Sequence, residues 1–395
     1  MAPRKKAGAD TAAPDQKPAA PEEQTLVDAG AAENVAYAEI AEDDLSDDDL
    51  TEDDLAEDDL AEDDLAEDDL PEDEDDEDDF DDELDRVTRA PLTPLEGPTR
   101  CGFVALLGAP NAGKSTLTNQ LVGTKVSIVS HKVQTTRSIV RGIALDGAAQ
   151  VVLVDTPGIF APKRRLERAM VSSAWTHAAD ADVIALLVDA NRGLDEDIEA
   201  LLGQLKDIRK PRALILNKID LIRRDSLLAL AAAITEQVPF DRVFMVSALT
   251  GDGVEDVRRW FAETVPPGPW LYPEDQVSDA PMRMLAAEIT REKMFLRLHD
   301  ELPYRSTVET ESWKELRNGS VRIEQTIFVE RESQRKIVLG KGGNTIKTIS
   351  TESRKEISEI IEQPVHLFLF VKVRESWADD PERYREMGLE FPKGG

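Results

Sequence analysis

Apolar positions in the middle of the chain fall in short unbroken runs: Phe103–Leu107, Val151–Val154, Val183–Val188, Ala213–Leu216 and Val243–Val246. Continuous rather than alternating Val, Ile and Leu is the pattern of parallel strands covered on both faces. Stretches with helical spacing lie among them, such as Ser226–Gln237 and Val254–Glu263, and this alternation predicts a mostly parallel α/β sheet. Ser138–Leu145 predicts a further strand at an antiparallel edge. Most runs end in a polar cluster. Gly108–Ser115, Asp155–Gly158, Asn217–Asp220 and Ser247–Leu249 are therefore expected together at the carboxyl edge, where open α/β sheets bind ligands.

The pattern changes after Pro266-Pro267-Gly268-Pro269, which predicts a boundary and a linker over 266–280. Pro281–Leu298 reads as an amphipathic helix starting at proline. Tyr304–Glu315 and Val321–Val329 alternate as strands and are joined through Asn318-Gly319, a hairpin signal. Ser333–Leu339 predicts a short helix, Thr345–Ile361 a longer one and Val365–Val373 a last strand. Helix, two strands, helix, G-x-x-G, helix and strand is the order of a type II KH domain. In that fold the glycine loop clamps about four nucleotides of single-stranded backbone, because chain without Cβ atoms can approach sugar and phosphate. The candidate RNA contacts are Gly340, Lys341, Gly342 and Gly343, with Lys336 and Lys347 beside them. Residues 281–395 form this second domain with its C-terminal tail, and 100–265 form the first.

Charge changes the picture only at the N-terminus. Of 80 acidic and 47 basic residues, 38 and 6 lie in residues 1–99, so the remainder is nearly neutral. From Glu42 a five-residue repeat of the form E-D-D-L-A places leucines at 45, 50, 55, 60, 65 and 70. Five residues turn a helix by about 500°, so these leucines build no single face, and the tract is expected to stay disordered or only transiently helical. It could imitate nucleic-acid phosphates, keep the chain soluble, or have no specific partner. The basic N-terminus leads into no apolar segment, so no signal peptide is expected, and no apolar run approaches the ~18 residues of a membrane helix. With one cysteine, Cys101, the expected compartment is the reducing cytoplasm.

Gly108-Ala109-Pro110-Asn111-Ala112-Gly113-Lys114-Ser115 joins a strand to the helix beginning near Thr116, which makes G-x-x-x-x-G-K-S a phosphate site. Its N–H groups and the helix start face anionic oxygens. Lys114 would meet the β- and γ-phosphates, and Ser115 a Mg²⁺ ion. Asp155-Thr156-Pro157-Gly158 offers a carboxylate to the Mg²⁺ shell and a Gly158 N–H to the γ-phosphate. Asn217-Lys218-Ile219-Asp220 offers a carboxylate that accepts from both donors of guanine, and Ser247-Ala248-Leu249 a backbone N–H for its carbonyl. Adenine would leave Asp220 unpaired. The polar stretch Ser127–Arg137 is the expected switch segment. Within it Thr136, with Thr135 as second choice, would ligate the metal. The histidines show no metal-ligand spacing.

These motifs, with Gln134-Thr135-Thr136-Arg137 and Val329-Glu330-Arg331-Glu332, resemble the Era GTPases, bacterial ribosome-assembly proteins, over about residues 100–380. The resemblance implies slow GTP hydrolysis with Lys114, Thr136, Gly158 and Asn111 as the catalytic set. It implies GTP or GDP with Mg²⁺ as cofactors, and as partners the 3′ region of 16S ribosomal RNA and the 30S subunit. Ile159 stands where many small GTPases carry a water-orienting Gln. Similar GTPases use a K⁺ ion there, held by the phosphate-loop Asn, here Asn111, and by switch carbonyls. A monomer is expected. The family also implies peripheral contact with the cytoplasmic face of the inner membrane, although no basic amphipathic helix suits that and the acidic tail would be repelled by anionic lipid. Competing readings are a membrane-peripheral interaction hub with incidental hydrolysis, and an ATP-using P-loop enzyme.

Overall fold

The computed structural model describes residues 36–37, 98–132, 135–299, 302–375 and 380–392. The acidic repeat expected to be disordered lies outside the described residues, as does Gln134.

The first domain runs β1 (Arg100–Gly108), α1 (Lys114–Val122), β2 (Val140–Asp146), β3 (Ala149–Asp155), α2 (Arg165–Asp180), β4 (Val183–Asp189), α3 (Glu196–Leu205), β5 (Arg212–Asn217), α4 (Arg224–Gln237), β6 (Arg242–Val246) and α5 (Val254–Thr264). Its sheet order is β2-β3-β1-β4-β5-β6, with β2 antiparallel at one edge and the other pairs parallel. All of β3 and β4 is buried, which is why their sequences read as unbroken apolar runs. Leu117, Leu121, Val257 and Phe261 of α1 and α5 cover one face. Ala174, Leu201, Leu202 and Ile234 of α2, α3 and α4 cover the other. This is the mostly parallel sheet of a P-loop GTPase.

The second domain contains α6 (Met282–Arg297), β7 (Ser306–Glu315), β8 (Val321–Val329), α7 (Glu332–Leu339), α8 (Asn344–Ile361), β9 (Val365–Val373) and α9 (Pro381–Glu386). β8 pairs parallel with β9 and antiparallel with β7, and Ala36–Tyr37 pairs antiparallel with β9. It has the α+β order of a KH domain. The strand expected from Tyr304 starts at Ser306, because Pro303–Arg305 forms a 3₁₀ turn with proline at its first position. Beyond Glu386, Leu389 joins Tyr384 in packing on Ala169 and Met170 of α2. Among the described residues no helix is long and apolar enough to cross a membrane.

The Pro-rich linker is not a free hinge along its length. Gln150 is fully buried, and its Oε1 accepts from the N–H groups of Leu271 (2.9 Å) and Tyr272 (3.0 Å) while its Nε2 donates to the Tyr272 carbonyl (2.8 Å). Trp270 Nε1 donates to Ala148 O (3.0 Å) and Ile143 N to Val277 O (2.8 Å). Arg141 pairs with Asp279 at 2.7 Å. The chain is thus tied to β2, the turn after it and the start of β3 as far as Asp279. Replacing Gln150 by Ala would leave these linker groups without their buried partner, so Gln150→Ala is expected to lower stability by about 2–3 kcal/mol. Urea unfolding checks this, and a change below about 0.5 kcal/mol would refute the linker anchor.

Candidate nucleotide site and nucleic-acid loop

The loop after β1 is closed by glycines that nothing larger can replace. At Gly108 a Cβ would lie 2.5 Å from Leu187 O, and at Gly113 (φ 98°) it would collide with the Asn217 amide. Asn111 also has a left-handed backbone (φ 63°), which Asn tolerates better than most residues. Gly113 gives α1 no side-chain cap, so the first-turn N–H groups are left for an anion. Lys114 is buried, and its Nζ donates to Gly108 O and Ala109 O, both at 3.1 Å. Burial pushes its pKa down to about 8, and Asp155 partly opposes that shift.

Hydroxyls of two segments meet beside it: Ser115 Oγ and Thr136 Oγ1 are 2.9 Å apart. Thr135 points elsewhere, bonding Ser130 Oγ and Lys132 O, each at 2.8 Å. The geometry therefore separates the two threonines that the sequence left as first and second choices. Asp155 is fully buried, accepts from Ser127 Oγ at 2.7 Å through Oδ2, and leaves Oδ1 without a hydrogen-bond partner. Burial raises the pKa of its carboxyl, with Ser127, Ser115 and Lys114 opposing. An orphaned carboxylate oxygen beside two hydroxyls is a hard donor set that fits Mg²⁺. Sequence reasoning missed the Ser127 contact, since a serine in a polar stretch carries no signal of its partner.

Gly158 packs so closely that a Cβ would lie 2.8 Å from Pro110 Cα. Thr156 anchors the same turn through Leu106 O at 2.7 Å. Ile159 is buried in the core and donates its N–H to Gly108 O (3.1 Å), so it offers nothing to a water molecule. Asn111 Nδ2 donates to the switch carbonyl of His131 at 2.8 Å. A cavity of about 280 Å³ brings together Pro110, Asn111, Gly113, Lys114, Ser115, Thr116, Thr135, Thr136, Gly158 and Lys218.

At the base edge two residues of the Asn217–Asp220 motif have side-chain partners within the protein. Asn217 is buried as a brace, donating to Ala112 O (2.8 Å) and accepting from Ala248 N (2.9 Å). It ties the phosphate loop to the Ser247–Leu249 turn. Lys218 (φ 65°) pairs with Asp189 at 2.7 Å. Asp220 is exposed on the single turn Ile219–Leu221, and Leu249 is exposed as well.

In the second domain, Gly340, Gly342 and Gly343 all have positive φ (76°, 62° and 78°), and a Cβ at Gly342 or Gly343 would meet open space. Lys336, Lys341 and Lys347 are exposed around this loop, and Ile337 beside it is 57 % exposed. A backbone free to approach phosphate, ringed by cations, suits single-stranded nucleic acid.

Residues 103–218 match the family model of the 50S ribosome-binding GTPases, and 301–378 that of the KH domain. GTPase Era of Afipia carboxidovorans is 69 % identical over 296 residues, covering 75 % of this chain and 96 % of that protein. GTPase Era of Rhizobium meliloti is likewise 69 % identical over 296 residues, with 75 % and 95 % covered. Among solved structures, Era in complex with MgGDPNP and nucleotides 1506–1542 of 16S ribosomal RNA is similar with a TM-score of 0.70 at 37 % identity, over 73 % of this chain and 99 % of that one. A single-residue variant of Aquifex aeolicus Era bound to GDP·AlF₄⁻ matches with the same TM-score, identity and coverage.

The Lys114 environment sets a pH dependence. The folded state holds this proton less tightly than the unfolded chain, from 10.5 down to about 8, so the charge destabilises the ligand-free protein below pH 8. That penalty disappears as pH rises from 8 to 10.5. Lys114→Met should therefore raise the stability of the ligand-free protein at pH 7 by about 1–3 kcal/mol while abolishing nucleotide binding. Denaturant titrations of both proteins at pH 7 and pH 10 test this, and a difference that does not shrink with pH would contradict it.

Proposed function

Because this chain belongs to the Era family of GTPases, we propose that it is a GTP-hydrolysing switch whose KH domain binds the 3′ region of 16S ribosomal RNA during assembly of the 30S subunit. The observation that carries the reading is the meeting of Ser115, Thr136 and the orphaned Asp155 oxygen beside Lys114 at an uncapped helix start. This is an arrangement for a metal-bound polyphosphate. Lys114 would neutralise the β- and γ-phosphates, and the Gly158 N–H would face the γ-phosphate. Mg²⁺ bound to Ser115, Thr136 and Asp155 would offset charge developing on the phosphoryl oxygens. The exposed Asp220 supports guanine over adenine, which disfavours the ATP-using alternative. The RNA reading is supported by the Gly340–Gly343 loop and by the RNA complex of the similar Era structure.

The absent glutamine is answered by K⁺ in this proposal. Asn111 already contacts a switch carbonyl, so an ion held by its amide oxygen and by such carbonyls would sit where a positive charge aids the leaving phosphate. We place the protein in the cytoplasm, as a monomer, a setting that suits its buried free Cys101.

Gly343→Asp puts a carboxylate on the nucleotide-facing turn, at a left-handed position. Affinity for a single-stranded 16S 3′-end fragment should fall at least about tenfold while GTP turnover stays within twofold. Filter binding and phosphate release measure the two, and unchanged RNA affinity would remove the KH loop from the proposal. Exchange of K⁺ for Na⁺ at constant ionic strength should slow hydrolysis by at least about tenfold, with the ~10³–10⁵ that an arginine finger supplies as the upper bound. Equal rates in the two salts would eliminate the ion.

A further inference from the structure

Switch segments of GTPases usually gain order from the γ-phosphate and Mg²⁺, yet here the second domain grips this one on both sides of Thr136. Glu292 of α6, almost fully buried, accepts from Val129 N at 2.7 Å through one carboxylate oxygen. Its other oxygen pairs with Lys125 at 2.7 Å and with Lys293 at 3.0 Å. The neighbouring Arg291, whose side chain is 2 % exposed, donates through Nη2 to the carbonyl of Thr135, the residue before Thr136. On the far side, Arg137 donates to Ser306 O (2.8 Å) and Pro303 O (3.0 Å) of the second domain. Both guanidiniums lie over Phe295, at 5.2 Å for Arg291 and 5.9 Å for Arg137.

Stability alone is a poor reason to keep this arrangement. Two buried guanidiniums stand close enough that Arg291 adds to the burial that lowers the Arg137 pKa, with Glu288, the ion-pair partner of Arg291, and Tyr304 opposing. Nη1 of Arg291 is buried with no hydrogen-bond partner, a state that costs free energy. What the cluster achieves is placement: the Thr135 carbonyl is fixed, and the next hydroxyl then lies 2.9 Å from Ser115.

We infer that Arg291 and Glu292, from the first helix of the KH domain, are positioning residues for GTP hydrolysis, holding the switch so that Thr136 faces the metal site. This rests on the GTPase reading above. Neither residue touches nucleotide. They act through the backbone of Val129 and Thr135, and the RNA-binding domain is thereby part of the machinery that times turnover.

The test uses the full chain with saturating K⁺. Phosphate release is measured against GTP and Mg²⁺ for wild type, Arg291→Met, Arg291→Lys, Glu292→Met and Arg297→Gln. The last breaks an α6 pair with Glu352 that does not touch the switch. Expected for Arg291→Met and for Glu292→Met, which removes the acceptor of the Val129 N–H, is a fall in kcat of about tenfold, a severalfold higher Mg²⁺ requirement, and GDP affinity within twofold of wild type. Arg291→Lys should recover part of kcat, and Arg297→Gln should behave as wild type. If Arg291→Met unfolds, Glu292→Met carries the test. A merely structural role would lower thermal stability yet leave kcat and the Mg²⁺ requirement unchanged, which would overturn the inference. Absence of hydrolysis by wild type would instead refute the GTPase reading on which it stands.

Discussion

The tight backbone curl from Gly108 to Gly113 is the constraint on which the rest of the molecule depends. It works because Cβ atoms are missing where Leu187 O and the Asn217 amide approach, and Asn217 then fastens the curl to the Ala248 turn. Three strand ends are thereby locked into one edge, with polar groups aimed at a common space. The cost is an unsatisfied carboxylate oxygen on Asp155 and a lysine pushed toward neutrality. Both penalties have the sign that a cation and a polyphosphate would relieve. A site built to be uncomfortable when empty binds its ligand with part of the free energy its own burial has stored.

The second domain builds on that edge. The linker leaves α5, runs along β2 and its turn under the hold of Gln150 and Trp270, and delivers α6 beside the switch. Arg383 lies 4.6 Å over Phe328 and pairs with Glu309 of the KH sheet, while Tyr384 and Leu389 rest on α2. α2 is the helix that follows the Asp155–Gly158 turn. The segments flanking both sides of the nucleotide cavity therefore have partners in the C-terminal part of the chain.

Much of this was legible in the sequence because it is written in residue types with few other uses. Glycines at fixed spacing after an apolar run locate the phosphate curl, and Asn318-Gly319 locates the hairpin. The last strand, Val365–Val373, has the bounds its alternation predicts. Backbone partners were not legible. Nothing in Arg291 announces that it will bond the Thr135 carbonyl, nor in Gln150 that it will clasp Tyr272, because every residue offers the same carbonyl and N–H. The bracing bonds of Asn217 were not legible for a related reason: its motif marks the base edge, and nothing in the sequence shows that its amide spans Ala112 O and Ala248 N. The Pro-rich segment reads as a linker because proline excludes helix, and the same property lets it lie extended against a strand edge.

The two kinds of contact are thermodynamically joined. The hydrogen bonds that Arg291 donates to Thr135 O and that Glu292 accepts from Val129 N exist only while the switch lies against α6. Any ligand that draws the switch toward the metal site therefore changes how firmly the KH domain is held. Reciprocity requires that whatever fixes the KH domain alter nucleotide affinity by the same factor. The size of that factor is limited by the difference in contact energy between the held and released switch. With backbone-directed, partly buried charged bonds worth about 1.5–3 kcal/mol each, a few such contacts suffice for coupling of the usual ~1–3 kcal/mol. No conformational wire through either core is then needed, because the element that senses phosphate and the element that touches α6 are the same short stretch of chain.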